Sequence, residues 1–211
     1  MEIEKYYDNL AQVYQQAFAG DPWFEVSKCA DLQDVKRCVG GFSTLPVGTT
    51  CEMCGNCLIK PAYEIPELIE KFTQISKTRS TAWYFEGNQN GITLAALAWK
   101  AYVKIIAEEK YKDNTEMQEW IINMFGDKEI IWLDEVFADR SKKPKGNLSN
   151  FRSMCFGFVD QLKVPIIAFR TINERMVSAA KRDFDDQCVM YKRYEEVPDR
   201  RDFIVINFQD L

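Results

Sequence analysis

The sequence predicts an α/β fold, a mixed sheet flanked by helices that carries a small cysteine-rich insertion. Three observations lead there. From residue 130 onward, apolar runs of strand length alternate with stretches of helical period. Upstream, two apolar, aromatic-rich runs flank a Gly-bounded turn at 87–91, the pattern of a hairpin. Five of the seven cysteines crowd into the 29 residues from Cys29 to Cys57. A helical crossover over 148–162 makes the strands on either side of it parallel, and the hairpin makes the sheet mixed.

Each element has its own signal. Residues 3–18 set Tyr6, Leu10, Val13, Tyr14 and Phe18 at helical spacing, closed by Gly20 and Asp21-Pro22. Residues 24–62 form the insertion, its loops marked by Gly40, Gly41, Pro46 and Gly48. Pro66 opens a second amphipathic helix with Leu68, Ile69 and Phe72 along one side. Strands are expected over 80–86 and 92–102, and a short helix over 116–125 that ends at Gly126. Then come a strand over 130–138, a helix over 148–162, a buried strand over 164–169 and a helix over 173–184. Strands over 188–194 and 203–208 complete the chain. No repeat or low-complexity segment interrupts it, so residues 1–211 read as one domain with the 24–62 insertion inside it.

Composition narrows the function. The chain has 27 Lys and Arg against 32 Asp and Glu, a net charge of −5, and a pI of about 5.0. That balance argues against nucleic-acid binding and suits a cationic ligand. The insertion adds only Lys28, Lys36, Arg37 and Lys60 to any basic surface. No apolar run approaches the ~20 residues that span a bilayer, and the acidic N-terminus is unlike a signal peptide. A cytoplasmic protein without membrane partners is therefore expected. There is no histidine, which removes Ser-His and Cys-His nucleophile pairs, imidazole metal ligands and a histidine base.

The cysteines point to a metal. Cys51-Glu-Met-Cys54-Gly-Asn-Cys57 holds two overlapping Cys-x-x-Cys steps, a turn that places two thiolates on one ion, with Gly55 easing the backbone. Cys29, Cys38, Cys51 and Cys54 give two pairs flanking a loop and are the preferred zinc ligands; Cys38, Cys51, Cys54 and Cys57 are the rival set. An all-sulfur site is closed, hence structural. The alternatives are reduced thiols, a redox pair or an iron–sulfur cluster. A redox motif ends a strand and opens a helix, whereas this one lies among Gly, Thr and Pro. Cys155 and Cys188 stand alone in apolar surroundings and read as core.

The other suggestive stretch is IIWLDEVFADRSKKPKGNLSNF, residues 130–151, where an apolar strand runs into Arg140, Lys142, Lys143 and Lys145 before a helix. Cations beside free N–H groups at a helix start suit a phosphate, although a plain lysine-rich surface loop has the same appearance. Within it, Leu133-Asp134-Glu135-Val136-Phe137-Ala138, Asp139, Lys143, Lys145 and Gly146 resemble the central motif of the GNAT superfamily of acyl-CoA N-acyltransferases. Members often read L-D-E-L-F-V and then D-P-E-Y-R-G-K-G-I-G there. YQQAFAGDPWFE, residues 14–25, resembles the exit of the family's first helix, and residues 173–184 resemble its N-x-x-A-x-x-x-Y-x-x-x-G-F helix. Four positions depart from the pattern: Pro144 and Leu148 in the loop, Ala179 where a thiolate-protonating tyrosine is usual, and Asp183 in place of glycine.

The resemblance implies acetyl-CoA as cosubstrate and a small-molecule or peptide amine as acceptor. Backbone groups of Val136, Phe137 and Ala138 would hold the pantetheine. Lys143, Pro144, Lys145, Gly146, Asn147, Leu148 and Ser149 would hold the diphosphate, and Asn173 the coenzyme arm. Glu135 is the candidate base that deprotonates the amine through water, with a solvated strand carboxylate as its alternative. Tyr191 and Tyr194 are the substitutes for Ala179 as acid. The competing reading of the whole chain is a degenerate acyltransferase fold that serves as a zinc-containing protein-interaction module.

Overall fold

The computed structural model describes residues 3–19, 24–29, 42–55, 57–88, 91–139, 148 and 150–209. They divide into two compact units. The first comprises residues 1–74, 86–94 and 137–144, and the second residues 75–85, 95–136 and 145–211.

In the first unit a short 3-10 turn, Ile3–Tyr6, leads into helix α1, Tyr7–Phe18. Its buried side chains, Tyr7, Leu10, Ala11, Tyr14 and Ala17, recur at the three- and four-residue steps that define one helical face. Helix α2, Ile65–Thr78, buries Leu68 and Phe72. Tyr14 is the hub of the aromatic packing, with ring centroids 5.9 Å from Phe72, 5.0 Å from Tyr63 and 5.1 Å from Phe137. The insertion contributes a small sheet in the order β2-β1-β3: β1 Ser27–Cys29, β2 Phe42–Ser43 and β3 Ile59–Pro61. The sequence pattern hides these strands, since they are three residues long at most. β1 runs antiparallel to both neighbours, with Cys29 opposite Ile59. Lys28 on β1 and Lys60 on β3 both reach Glu67 on α2, at 3.3 and 3.2 Å. Burial opposes ionisation of Glu67, and the two lysines more than offset it, holding the carboxyl below its usual range.

The second unit holds most of a six-stranded sheet, the ends of its first three strands being counted with the first unit. Its strands are β4 Ser80–Asn88, β5 Gly91–Tyr102, β6 Glu129–Ala138, β7 Ile166–Thr171, β8 Cys188–Tyr191 and β9 Asp202–Asn207. Their order is β4-β5-β6-β7-β9-β8. β6 and β7 are parallel, while β9 is antiparallel to β7 and β8. At the end of β4, Gly87 has φ +117, and a Cβ there would lie 2.2 Å from the Gly91 carbonyl oxygen. No other residue fits that position without moving the backbone.

Helices cover both faces of this sheet. Helices α5, Phe151–Leu162, and α6, Glu174–Phe184, bring Phe151, Met154, Cys155, Phe158, Met176 and Ala180 onto Ile131, Leu133, Ile167 and Ile204. Helices α3, Val103–Lys110, and α4, Thr115–Phe125, bring Val103, Ile106, Met117 and Ile121 onto Trp99, Ile130, Trp132 and Phe203. The sequence pattern misses α3, because its eight residues present only Val103, Ile106 and Ala107 inward, too short a stripe for a clear period. Asn114 caps α4 by accepting from the Met117 N–H at 3.0 Å, and Gly126 ends it at φ +63. Helix α5 begins at Phe151, later than the expected 148, and closes on Lys163 in the left-handed region. The expected α/β class, a mixed sheet flanked by helices, is the class observed.

Candidate active site and cysteine cluster

The main irregularity of the large sheet lies along β6. Adjacent strands normally pair along their shared length, yet among the described residues β6 and β7 register at Ile131 with Ile167 and Trp132 with Ala168. Beyond those pairs both strands continue, β7 to Thr171 paired with β9, and β6 to Ala138. The two parallel strands therefore splay apart after Trp132 and Ala168. Past that point the ladder with β7 no longer accounts for the backbone groups on that side of β6.

The side-chain alternation of β6 breaks at the same place. Ile130 and Trp132 face the second core, and Ile131 and Leu133 the first. Asp134 keeps the parity of Trp132, accepting from Trp99 Nε1 at 3.2 Å and from Lys110 Nζ. Val136 shares that parity but packs against the first core. That change of side is what a β-bulge between 134 and 136 produces, one extra residue taken up with a bend that re-aims the remaining side chains. Glu135 lies within this bend and is half-buried. Phe137 is buried in the first unit, 6.4 Å from Phe72 in a stacked arrangement. The Asp139 N–H donates to the Thr93 carbonyl at 3.0 Å.

Lys143, Pro144, Lys145, Gly146, Asn147 and Ser149 lie outside the described residues. Leu148 is described: its side chain packs against the first core, and its carbonyl accepts from the Phe151 N–H at 3.0 Å and Arg182 Nη2 at 2.9 Å. The first turn of α5 has a carboxylate partner that sequence reasoning missed. Asp183 Oδ2 accepts from the Arg152 N–H at 3.2 Å, while Arg182 grips both Asp183 oxygens at 2.6 and 2.9 Å. This fork of hydrogen bonds holds the Asp183 carboxyl below its ordinary range, against a smaller opposing effect of burial.

Asn173 is the N-cap of α6. Its Oδ1 accepts from the Arg175 N–H at 3.0 Å, and its own N–H donates to Thr171 Oγ1 at 2.9 Å. The cap commits Oδ1 and leaves Nδ2 as a side-chain donor. Ala179 is buried in the first core. Tyr191 packs its ring 5.3 Å from Trp120, edge to face, and Tyr194 lies exposed in the turn after β8 at φ +57.

In the first unit, Cys29, Cys51 and Cys54 converge with all three sulfurs within 4.8 Å of one another. Cys29 and Cys54 Sγ are 3.8 Å apart, far beyond a disulfide bond of about 2.05 Å. A tetrahedral zinc site with Zn–S of about 2.3 Å has sulfur–sulfur edges of about 3.8 Å, so the three thiols fit one such ion. The turn that makes this possible is short: Cys51 N–H donates to Cys57 O at 2.7 Å, and Gly55 N–H to Cys51 O at 2.8 Å. Gly55 sits at φ +69, the left-handed conformation glycine takes without strain. Cys57 packs beside the cluster but is not one of the three. Cys38 lies outside the described residues.

The fold is that of the GNAT acyl-CoA N-acyltransferases. Aligned over 97% of this chain and 96% of its own, a polyamine N-acetyltransferase of Drosophila melanogaster superposes with a TM-score of 0.54 at 9% identity. A histone acetyltransferase HPA2-related acetyltransferase of Corynebacterium glutamicum matches over 96% and 91% of the two chains, with a TM-score of 0.48 at 14% identity. FeeM, an N-acyl amino acid synthase from uncultured soil microbes, matches over 67% and 75%, with a TM-score of 0.45 at 11% identity. No family model matches the sequence, and no curated protein does. Among the described residues no helix is long and apolar enough to cross a membrane.

Proposed function

We propose that this chain is an acyl-CoA-dependent N-acyltransferase that moves an acetyl group from acetyl-CoA to a primary amine. The observation that carries the reading is the splay of β6 from β7 after Trp132 and Ala168. It opens a gap between two neighbouring strands of the sheet, where an extended pantetheine arm can lie as a further strand would. The amine nitrogen attacks the thioester carbonyl; the C–N bond forms, the C–S bond breaks, and the coenzyme leaves as a thiolate. A main-chain N–H near Val136 meets the developing oxyanion, the kind of fixed donor that stabilises such charge most.

Amines have pKa values near ~10 and must lose a proton before attack. Glu135, in the bend of β6, is the proposed base, acting through water. Ala179 offers no acid, and the thiolate, with a pKa near ~8.5, takes its proton from water. Val136, Phe137 and Ala138 are the proposed pantetheine residues, Lys143–Ser149 the diphosphate loop, and Asn173 Nδ2 a donor to the coenzyme arm. The acidic net charge favours arrival of a cationic amine.

Zinc bound by Cys29, Cys38, Cys51 and Cys54 is the proposed metal centre, and its chemistry is structural. With four thiolates around it there is no open position for substrate.

A second reading keeps the fold and drops the catalysis. The exposed apolar side chains Phe42, Val47, Met53 and Leu58 gather on the cysteine-rich segment, which favours a protein-contact role for that segment. Calorimetry with acetyl-CoA on metal-analysed protein separates the two. Micromolar binding, weakened about tenfold or more when Lys143 and Lys145 are both changed to Ala, is expected of the enzyme. A folded, zinc-loaded protein that binds no acetyl-CoA would sink the enzymatic reading.

A further inference from the structure

Two buried side-chain donors among the described residues have no hydrogen-bond partner, Tyr111 Oη and Arg201 Nε, and both belong to one cluster. Tyr111 follows α3, Arg170 is the penultimate residue of β7, and Asp199 and Arg201 precede β9. Arg170 Nη1 and Arg201 Nε both turn to the same oxygen, Asp199 Oδ2, at 3.4 and 3.7 Å. Those distances exceed the ~2.7–2.9 Å of a charge-assisted hydrogen bond, so Asp199 saturates neither guanidinium. The Arg170 guanidinium stands over the Tyr111 ring, 4.7 Å from its centre, and acts on the hydroxyl only as a donor, which leaves the phenol proton without an acceptor. Two arginines against one aspartate leave the cluster one positive charge in excess.

The orphans are of one kind. Each is an N–H or O–H with no acceptor within hydrogen-bond distance, Arg201 Nε reaching Asp199 Oδ2 only at 3.7 Å, and an unsatisfied buried donor is costly unless something outside the chain accepts from it. Burial, chiefly, raises the phenol pKa of Tyr111, so the hydroxyl remains a neutral donor at neutral pH. Burial and the nearby Arg170 depress Arg201, as expected of a guanidinium short of counter-charge. A single oxyanion supplies both the missing acceptor and the missing charge.

Placement suggests whose oxyanion it is. Arg170 lies two residues beyond Ala168, the last β7 residue paired with β6, and has the parity of Ile166 and Ala168, which face the second core. Arg170 thus sits on the stretch of β7 that continues past its pairing with β6. We propose that Tyr111, Arg170 and Arg201 form a receptor for a carboxylate, and, on the acyltransferase reading, that this carboxylate belongs to the amine acceptor. The substrate class is then an amino acid or another amine bearing a carboxylate, whose positive end answers the acidic net charge and whose negative end answers this cluster.

The first test is thermal unfolding in sodium acetate against sodium chloride at equal ionic strength, with inorganic phosphate as a third arm. Acetate at about 50 mM is expected to raise the midpoint by about 3–6 °C if it binds with millimolar affinity. The rise is expected to vanish in Tyr111→Phe, which removes only the hydroxyl, and to shrink in Arg201→Lys, which keeps the charge and removes the fork. No acetate-specific rise, or the same rise in Tyr111→Phe, overturns the receptor. A larger rise with phosphate overturns its assignment to a carboxylate.

The second test is acetyl transfer to β-alanine against its amide. A tenfold or greater preference for the acid in KM, lost in Tyr111→Phe, is expected. Transfer to both alike overturns the acceptor assignment and leaves the anion receptor standing. An acetate effect without transfer to any amine overturns the acyltransferase reading instead.

Discussion

The small sheet of the first unit and the large sheet of the second solve the same problem by different means. The large sheet buries both faces: Trp99, Trp132 and Phe203 under α3 and α4, and Ile131, Leu133 and Ile167 under α5 and α6. The small sheet has strands of three, two and three residues. Its own core is Cys29, Cys51 and Ile59 with Leu45, Cys54 and Cys57 beside them, and several large apolar side chains nearby remain exposed. A core this small cannot offset the conformational entropy of the loops it must order, and short domains in this position rely on cross-links or metals. Thiols stand where aliphatic side chains run out.

The strongest way to break that comparison is to remove the metal proposed for the cysteine cluster. Chelation, or Cys51→Ser, is expected to unfold the small sheet, since structural zinc contributes on the order of 10 kcal/mol in peptide systems. Limited proteolysis should then cut within residues 24–62, while the second unit's thermal transition persists; an unchanged digest after zinc removal would refute a metal-held sheet. The reciprocal change is Phe158→Ala, which leaves a cavity in the first core at a cost of about 3–5 kcal/mol. A denaturant midpoint should fall accordingly, with the metal content of the purified protein the same as in the wild type.

A smaller effect is expected at Asp134, which satisfies both Lys110 and the Trp99 N–H. Asp134→Ala leaves the buried Trp99 N–H and the partly buried Lys110 without their acceptor and should cost about 2–3 kcal/mol, again in the second unit alone. The smallest concerns pH. Asp183 has a folded pKa below its unfolded value, so its contribution is present above the ordinary carboxylate range near ~3.9 and is lost as pH falls through the folded pKa. Asp183→Asn should flatten the acid limb of a stability–pH curve by under about 1 kcal/mol, as for a partly exposed pair. An unchanged acid limb would show the Arg182 fork to be inert.

Legibility in the sequence divides along the same line. The alternation around Ile131, Leu133, Ile167 and Phe169, and the helical spacing of Phe151, Met154, Cys155 and Phe158, are long patterns set by burial, and the large sheet could be read from them. β1 to β3 are too short to carry a period, so only the thiol spacing marked their region. The convergence of Cys29 with Cys51 and Cys54 depends on β1 lying beside β3, a pairing at long range that no local pattern encodes. Asp183 at the start of α5 and Tyr111 beside Arg170 likewise join residues distant in sequence. Arg170 itself had a readable signal: a charge inside the apolar run Ile166-Ile167-Ala168-Phe169 asks for a partner. Glu135 is legible as a strand carboxylate, but its place in a bend comes from the parity change at Val136, which only packing reveals.

That parity change also determines where β6 tolerates a change of length. Deleting one residue between Ile130 and Leu133 would exchange the side chains of one core for those of the other. Deleting one between Asp134 and Val136 would instead straighten the strand and restore plain alternation, with Leu133 and everything before it undisturbed. The same excision that ruins the strand at one point would merely remove its bend a few residues later, and the sheet would survive the loss of its splayed end.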